Sequence, residues 1–272
     1  MRYTLKYLSI LLIIILASAC GSRHAIQPGD SLEVAFEKAM ALYERERYSQ
    51  AVDAFETVLS IARGTEMAAD AQYHLAQSHF ENRSYLLAAS EFRRFSRNYT
   101  TDPRQQEAEF MEAYSHYQMS PKFNLDQTET YNALNRFQLF ITRYPESEYT
   151  ERAAAYMDEL RDKLARKKFH AAEMYLRIGQ YESAAIYYGL AVENYPESKW
   201  AERALAHQIQ AYAVYAENSV RARQQERFDK AVESYERYVQ LFPRGENRSM
   251  AEEQYNRALE GIADLAEVTA ER

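Results

Sequence analysis

The side chains that most often carry out chemistry are sparse or poorly spaced in this sequence. Of the six histidines, His74 and His79 come closest together, but they are five positions apart, whereas a zinc-binding helix places two histidines four apart. The sequence has no nucleophile elbow or phosphate-binding loop, and its single cysteine excludes an internal disulfide. We therefore predict structural or solvated histidines, no catalytic residue, no metal site and no cofactor.

Cys20 is the one side chain whose context indicates a specific chemistry. Residues 1–19 are predicted to be a secretory signal, because the apolar stretch 8–16 is too short to span about 30 Å of hydrocarbon. Small residues lead directly to Cys20, as at the sites where bacterial lipoproteins are acylated and cleaved. We predict lipid attachment at Cys20, followed by a flexible polar tether over 20–30. The alternative is a plain signal peptide with an incidental cysteine.

The composition indicates an acidic and mostly helical protein. The chain has 272 residues, with 40 acidic and 33 basic side chains, for a formal net charge of −7. This balance argues against a general nucleic-acid-binding protein, which needs a basic surface. Seven glycines and six prolines are few for this length, so helices should be long and loops short.

A spacing of aromatic and alanine residues returns five times after residue 31. In its full form an alanine follows an aromatic residue by three positions, and a second aromatic follows that alanine by four. Such positions share one helix face, and the small central side chain lets a neighbouring helix approach closely. The repeated alanines are Ala51, Ala88, Ala133, Ala184 and Ala231. Further alanines lie twelve positions earlier in three copies, at Ala39, Ala76 and Ala172.

This pattern resembles the tetratricopeptide repeat, in which antiparallel helix pairs stack on one another. The predicted fold is all-α: a right-handed superhelical stack of about five tetratricopeptide-like helix pairs with a C-terminal capping helix. Residues 31–272 are expected to form one repeat domain. Its predicted repeats lie near 31–62, 65–99, 103–144, 148–195 and 197–242, with a final helix over 248–268.

Local signals predict where several helices begin. Ser147 and Ser198 follow aromatic–proline pairs and are predicted to be N-caps. Asp102 is predicted to cap the next helix, with Gln105 completing a capping box. Residues 148–178 contain no Gly or Pro, and a single helix of this length would extend about 46 Å.

Two segments and one charged run remain outside the repeat pattern. Residues 118–127 are predicted to be an insertion between the helices of repeat three, and 218–227 to be a similar connection in repeat five. The basic run is interpreted as a solvated helix face, with an acidic partner as the alternative. It consists of Arg161, Lys163, Arg166, Lys167 and Lys168.

Residues 125–198 resemble a specific family, the BamD lipoproteins of the outer-membrane β-barrel assembly machine. The shared residues are Asp126-Gln127, Ala133, Phe137, Tyr144-Pro145, Ser147, Tyr149, Leu160-Arg161-Asp162-Lys163-Leu164-Ala165 and Tyr195-Pro196. The resemblance implies a lipid-anchored protein of the outer membrane that faces the periplasm and has no catalytic activity. It also implies binding to the periplasmic domains of a BamA-type barrel protein through the C-terminal repeats. Other assembly lipoproteins and unfolded outer-membrane proteins are the further partners that it implies.

Four residues are predicted to lie on these binding surfaces. Glu202 and Arg203, in the helix after Pro196, are expected to be exposed and to contact the protein partner. Tyr43 and Tyr73 are candidates for a groove that receives extended substrate segments, because tyrosine combines a rigid ring with a polar tip. Packing between helices is the alternative role for these tyrosines.

Two other functions fit the sequence less well. One is a periplasmic repeat lipoprotein that coordinates cell-envelope or division factors. The other is an envelope glycan hydrolase built on a helical solenoid, which requires two acidic side chains about 5 to 9 Å apart in a cleft.

Overall fold

A computed structural model describes residues 26–270, and all regular secondary structure in this range is α-helical. The all-α prediction is confirmed for this part of the chain. The predicted signal peptide, Cys20 and the first part of the predicted tether lie outside the described residues.

The helices fall into two compact units, with the boundary between Ser115 and His116. The first unit contains α1 (Leu32–Glu44), α2 (Tyr48–Ile61), α3 (Met67–Glu81), α4 (Tyr85–Asn98) and most of α5 (Gln105–Met119). The second contains the end of α5, α6 (Thr128–Arg143), α7 (Thr150–Arg177), α8 (Tyr181–Asn194), α9 (Ala201–Glu217), α10 (Arg221–Leu241) and α11 (Arg248–Ala270). In the first unit the helices α1 to α4 each pack on the next, and in the second unit the helices α6 to α11 do the same.

Three of the hairpins turn through the same backbone motif. The residue two positions before the second helix has a positive φ, at +57° for Glu46, +59° for Arg83 and +76° for Gly179. At the end of α1 the amide of Arg47 donates to the carbonyl of Leu42 at 2.9 Å, which closes the helix as a Schellman motif. Equivalent bonds close α3 and α7. Only glycine adopts this conformation freely, so packing of the repeat holds the turn in the first two cases.

The repeated alanines lie at the contacts between helices. All eight that the spacing identifies are fully buried, with no exposed side-chain surface. The aromatic residue that follows each alanine is also fully buried in the first four copies, at Phe55, Phe92, Phe137 and Tyr188. In the fifth copy Tyr235 is only half-buried and stacks on Tyr255 of α11, while Tyr238 is fully buried. The physical basis of the repeat prediction is therefore observed within both units.

The long helix predicted over 148–178 is confirmed as α7. It contains 28 residues, Thr150–Arg177, and extends about 42 Å. Its buried side chains, including Leu160, Leu164 and Phe169, recur at helical spacing, while the remaining faces are polar or partly exposed. Gly179 ends the helix, as the sequence predicted.

The N-cap predictions for Ser147 and Ser198 are wrong, since α7 begins at Thr150 and α9 at Ala201. Each serine carbonyl instead accepts from the amide three residues later, at 3.0 and 2.9 Å, and so forms a turn before the helix. The Oγ of each serine accepts from the amide two residues later, at 3.4 Å for Ser147 and 3.1 Å for Ser198, and so stabilises this turn. Ser198 Oγ also donates to Asp162 Oδ1 at 2.7 Å. An aromatic–proline pair therefore needs one extra turn before a new helix can start.

The capping box predicted for Asp102 and Gln105 does not form. Asp102 Oδ1 accepts from the amide of Arg104 at 2.9 Å, and the same carboxylate binds the Arg104 guanidinium at 2.8 Å. Gln105 is the first residue of α5, and its side-chain amide reaches the carbonyl of Ser96 at 3.5 Å. Pairing with arginine thus replaces the reciprocal hydrogen bonds of a capping box.

Two predicted connections are shorter than expected. In the segment 218–227 only residues 218–220 lie outside helices, because α10 already begins at Arg221. The last part of the predicted tether is folded, since Ile26 packs on the first core and Asp30 accepts from Lys38 Nζ at 2.7 Å. The predicted insertion in repeat three is confirmed as the connection 120–127 between α5 and α6.

A carboxylate holds the last three helices together. Glu202 Oε1, on α9, accepts from Tyr238 Oη at 2.7 Å and from the amide and side chain of Asn247 at 2.7 and 3.1 Å. Gly245 leaves room for this contact, because a Cβ there would lie 2.4 Å from the carboxylate. Burial alone would raise the pKa of Glu202, but these hydrogen bonds outweigh it and lower the pKa below its usual value.

The buried alanines should not tolerate larger side chains. Ala231→Leu, in α10, is expected to lower the free energy of unfolding by about 1–3 kcal/mol, because the added methyl groups have no space. Ala222→Leu, at an exposed position of the same helix, should change it by less than about 0.5 kcal/mol. Urea denaturation followed by circular dichroism measures both, and equal losses would contradict the close-approach account.

The contacts of Glu202 should stabilise the protein in a pH-dependent way. Glu202→Gln is expected to lower the free energy of unfolding by about 1 kcal/mol at pH 7, because charge-assisted hydrogen bonds become neutral ones. The folded-state pKa is lowered, so the stabilisation is present above the unfolded value of 4.5 and is lost as pH falls through the folded value. Denaturation at several pH values should show that the difference in free energy of unfolding between Glu202→Gln and the wild type becomes smaller in acid. Glu197→Gln, at an exposed position, is the control and should show no such pH dependence. If the difference between Glu202→Gln and the wild type does not change with pH, the stabilising role of the Glu202 carboxylate is refuted.

Candidate interaction surfaces

In the first unit, Tyr43 remains accessible and is held in a defined orientation. Its hydroxyl donates to Gln77 Oε1 at 2.8 Å, and its half-buried ring meets His74 and Tyr48 edge-on at centroid distances of 5.6 Å. Burial, assisted by the charge of Glu81, raises the pKa of Tyr43 to about 12, so its hydroxyl stays a neutral donor and acceptor. Tyr43 can therefore contribute both a ring and a hydroxyl to a binding surface.

Tyr73 does not line an open groove, and this prediction is corrected. Its side chain is 5% exposed and packs edge-on against Phe92 and Phe95 of α4, at centroid distances of 6.1 and 5.3 Å. Gln77 Nε2 donates to its hydroxyl at 2.8 Å, and the Arg104 guanidinium lies 4.8 Å from its ring centroid. Tyr73 thus takes the packing role that the sequence left as the alternative, because its side of α3 faces α4.

The two residues predicted for partner binding differ in accessibility. Glu202 is half-buried rather than exposed, since its carboxylate is occupied by Tyr238 and Asn247. Arg203 is exposed, and its guanidinium lies 4.9 Å from the ring centroid of Phe169. Arg203 is therefore available to a partner, whereas Glu202 has a structural role.

The basic run on α7 is not one uniformly solvated face. Lys163 Nζ donates to Ser120 Oγ at 2.7 Å, and Lys167 Nζ donates to the carbonyl of Leu125, so both lysines hold the connection 120–127 against α7. Arg166 lies over the ring of Phe123, with its guanidinium carbon 4.2 Å from the centroid. The run therefore organises a surface together with this connection.

Two residues that carry the family resemblance, Gln127 and Asp162, shape the same surface. Gln127 is 4% exposed, and its side-chain amide donates to the carbonyls of Lys122 and Leu125 at 2.9 and 3.0 Å, which folds the connection back on itself. Asp162 accepts from Ser198 Oγ at 2.7 Å and from the amide of Lys199 at 3.1 Å. These two side chains fix the connection 120–127 and the turn before α9 on either side of α7.

Sequence reasoning missed Phe123 and Trp200, which line the recess between these segments. Both rings contact His170, with centroid distances of 4.9 and 5.5 Å. A signal was present, because Trp200 is the only tryptophan of the chain and follows an aromatic–proline turn. The two rings are far apart in sequence, so only the fold shows that they are neighbours.

His74 has structural surroundings. His74 lies among the rings of Phe36, Tyr43, Phe55 and Tyr73, and burial lowers its pKa. Within residues 26–270, no group of three His, Cys, Asp or Glu side chains is placed to hold a metal ion. In the same range, none of the helices combines the length and the apolar character needed to cross a membrane.

Three relatives named as outer membrane protein assembly factors are similar to much of this chain. A protein of Caulobacter vibrioides named outer membrane protein assembly factor BamD is 25% identical over 181 residues, covering 66% of this chain and 59% of the relative. The BamD proteins of Rickettsia prowazekii and Vibrio cholerae are each 24% identical, over 212 and 220 residues. Both matches cover 76% of this chain, and they cover 83% and 91% of the respective relatives. The chain thus spans less than two thirds of the Caulobacter relative and most of the other two.

The sequence profile of the YfiO family, described as an outer membrane lipoprotein, matches residues 28–228. This match includes α1 to α9 and the segment 125–198 on which the resemblance was based. It covers well over half of the sequence, and the relatives named above are all BamD proteins. The chain therefore belongs to the YfiO, or BamD, family of outer membrane lipoproteins.

Proposed function

We propose that this chain is a non-catalytic scaffold in the assembly of outer-membrane β-barrel proteins, anchored through a lipid on Cys20 and facing the periplasm. The observation that carries this proposal is the family match over residues 28–228, with relatives named as assembly factors. Stacked helical hairpins also suit this role, because repeat proteins bury small apolar side chains and offer extended surfaces to other proteins.

The proposed partners differ between the two units. The C-terminal repeats dock a BamA-type barrel protein through its periplasmic domains, and exposed Arg203 on α9 is a contact residue. The N-terminal repeats receive unfolded outer-membrane proteins, with Tyr43 offering an accessible ring and a neutral hydroxyl. Other assembly lipoproteins bind the same scaffold, and nucleic acid does not.

The lipid anchor depends on one thiol. In cells fed radiolabelled palmitate, the wild-type chain is expected to incorporate label, whereas Cys20→Ser should not, because acylation requires the cysteine. Exported behind the signal peptide of an ordinary secreted protein, Cys20→Ser should leave the membrane fraction in a high-salt wash. Ser22→Ala, expressed with its own signal peptide, is the control that keeps both label and anchor. A wild-type chain that takes up no label, or a Cys20→Ser chain that takes up as much as the wild type, would disprove lipid attachment at Cys20.

The scaffold should copurify with a barrel protein, and Arg203 should contribute to this interaction. A tagged full-length chain, solubilised in mild detergent, is expected to bring down a barrel protein with periplasmic repeat domains. Arg203→Glu should reduce its recovery at least about tenfold, because reversing a charge at an interface adds repulsion.

Arg63→Glu is the control for this experiment, since it makes the same charge change at an exposed position in the first unit. Its recovery of the barrel protein should equal that of the wild type. Absence of any barrel protein from the wild-type purification would refute the scaffold proposal. Equal recovery with both variants would refute the contact at Arg203.

A further inference from the structure

A recess in the second unit has the features of a binding site. It lies beside α7, between the connection 120–127 and the turn before α9, and its volume is about 540 Å³. Its lining is mainly apolar where Phe123 and Trp200 form the walls, and charged elsewhere. The lining residues are Lys122, Phe123, Glu159, Asp162, Lys163, Arg166, Lys199 and Trp200.

Internal hydrogen bonds hold the walls of this recess in place. Lys163 and Gln127 fix the connection 120–127, and Asp162 fixes the turn that carries Trp200. The rings of Phe123 and Trp200 are half-buried and both contact His170. A ligand would therefore meet a largely preformed surface, which reduces the entropy lost on binding.

The recess has an excess of positive charge, with four basic and two acidic side chains. Both acids already have partners, because Glu159 accepts from Tyr117 Oη at 2.5 Å and Asp162 binds the turn before α9. Arg166 and Lys122 have no carboxylate within ion-pair distance in the described part of the chain. These two cations therefore remain available to an anionic ligand.

Arg166 lies against both aromatic rings of the recess. Its guanidinium carbon lies 4.2 Å from the ring centroid of Phe123 and 5.6 Å from that of Trp200, so aromatic rings hold the cation in place. An arginine guanidinium can donate two parallel N–H bonds to one carboxylate, which suits Arg166 to an acidic ligand. Burial also lowers the pKa of the neighbouring Lys163, and a bound anion would compensate for this lost solvation.

We propose that this recess binds an acidic segment of a partner polypeptide, with a carboxylate on Arg166 and an adjacent apolar side chain against Phe123 and Trp200. The inference deepens the scaffold function proposed above and rests on it, because it specifies the chemistry of one docking segment. A peptide fits better than a membrane surface, since both rings pack against His170 inside a concave site and do not project outward.

Trp200 provides the measurement, because it is the only tryptophan in the chain. The full-length protein in mild detergent is titrated with acetyl-Ser-Glu-Phe-Glu-Leu-Ser-amide while tryptophan fluorescence is recorded. We expect a saturable change that weakens as salt is raised. The same peptide with Gln in place of Glu should bind at least about tenfold more weakly, because it cannot form the charge-assisted bonds.

Variants locate the binding site. Arg166→Gln and Lys122→Gln are each expected to weaken binding of the acidic peptide, Arg166→Gln by at least about tenfold. Arg161→Gln is the matched control, since Arg161 lies on the same helix and pairs with Asp158 at 3.2 Å, outside the recess. It should bind within about twofold of the wild type. Circular dichroism checks that each variant folds. If Arg166→Gln does not fold, Lys122→Gln still tests the site, because Lys122 is exposed in the connection 120–127.

Three results would overturn the inference. The Glu and Gln peptides could bind equally well, or Arg166→Gln and Arg161→Gln could lose affinity for the acidic peptide to the same extent. The third is a change in Trp200 fluorescence with vesicles that contain 30% anionic phospholipid but not with the peptide. The outcome is separable from that of the scaffold proposal. If the peptide fails to bind while the barrel protein still copurifies, only the recess inference falls. If copurification fails while the peptide binds, the scaffold proposal falls and the recess remains a peptide site.

Discussion

The close approach of neighbouring helices is the constraint on which the rest of this structure depends. Helical hairpins can nest only where the facing side chains are small, and the alanines at these positions are fully buried in both units. Large rings such as Phe55 and Tyr188 then fill the space beside each contact. Because each hairpin lacks a core of its own, this packing is what makes a long, breaker-poor chain fold.

Polar side chains fix the turns and connections between the helices, which form part of the surface. Asp162 and Glu202 each reach from a helix to a turn distant in sequence, where the carboxylate accepts from a backbone amide. Gln127 fixes the connection between α5 and α6, because its side-chain amide donates to two backbone carbonyls there. Gln127 and Asp162 belong to the residues that carry the family resemblance. Their hydrogen bonds fix two segments at the surface of the second unit, which gives these residues a structural role.

The fold was more predictable than the candidate surfaces, for a physical reason. Alanine spacing, the long helix α7 and the final helix depend on periodicity along one segment, which sequence displays directly. The burial of Tyr73 and the surroundings of Ser198 depend on side chains that are distant in sequence, Phe92 and Phe95 in the first case and Asp162 in the second. The recess could not be predicted either, because Phe123 and Trp200 become neighbours only through contacts with α7 and His170.

The family match supports a role in outer membrane protein assembly, and a depletion experiment is the most direct test of the proposal that β-barrel proteins are what is assembled. The gene for this chain is placed under a repressible promoter, and folded barrel proteins in the outer membrane are quantified as the protein is depleted. An unrelated outer-membrane lipoprotein serves as the internal reference. The account predicts that the barrel proteins decline while the reference lipoprotein keeps its level. Barrel proteins that remain at their normal level after the chain is gone would contradict it.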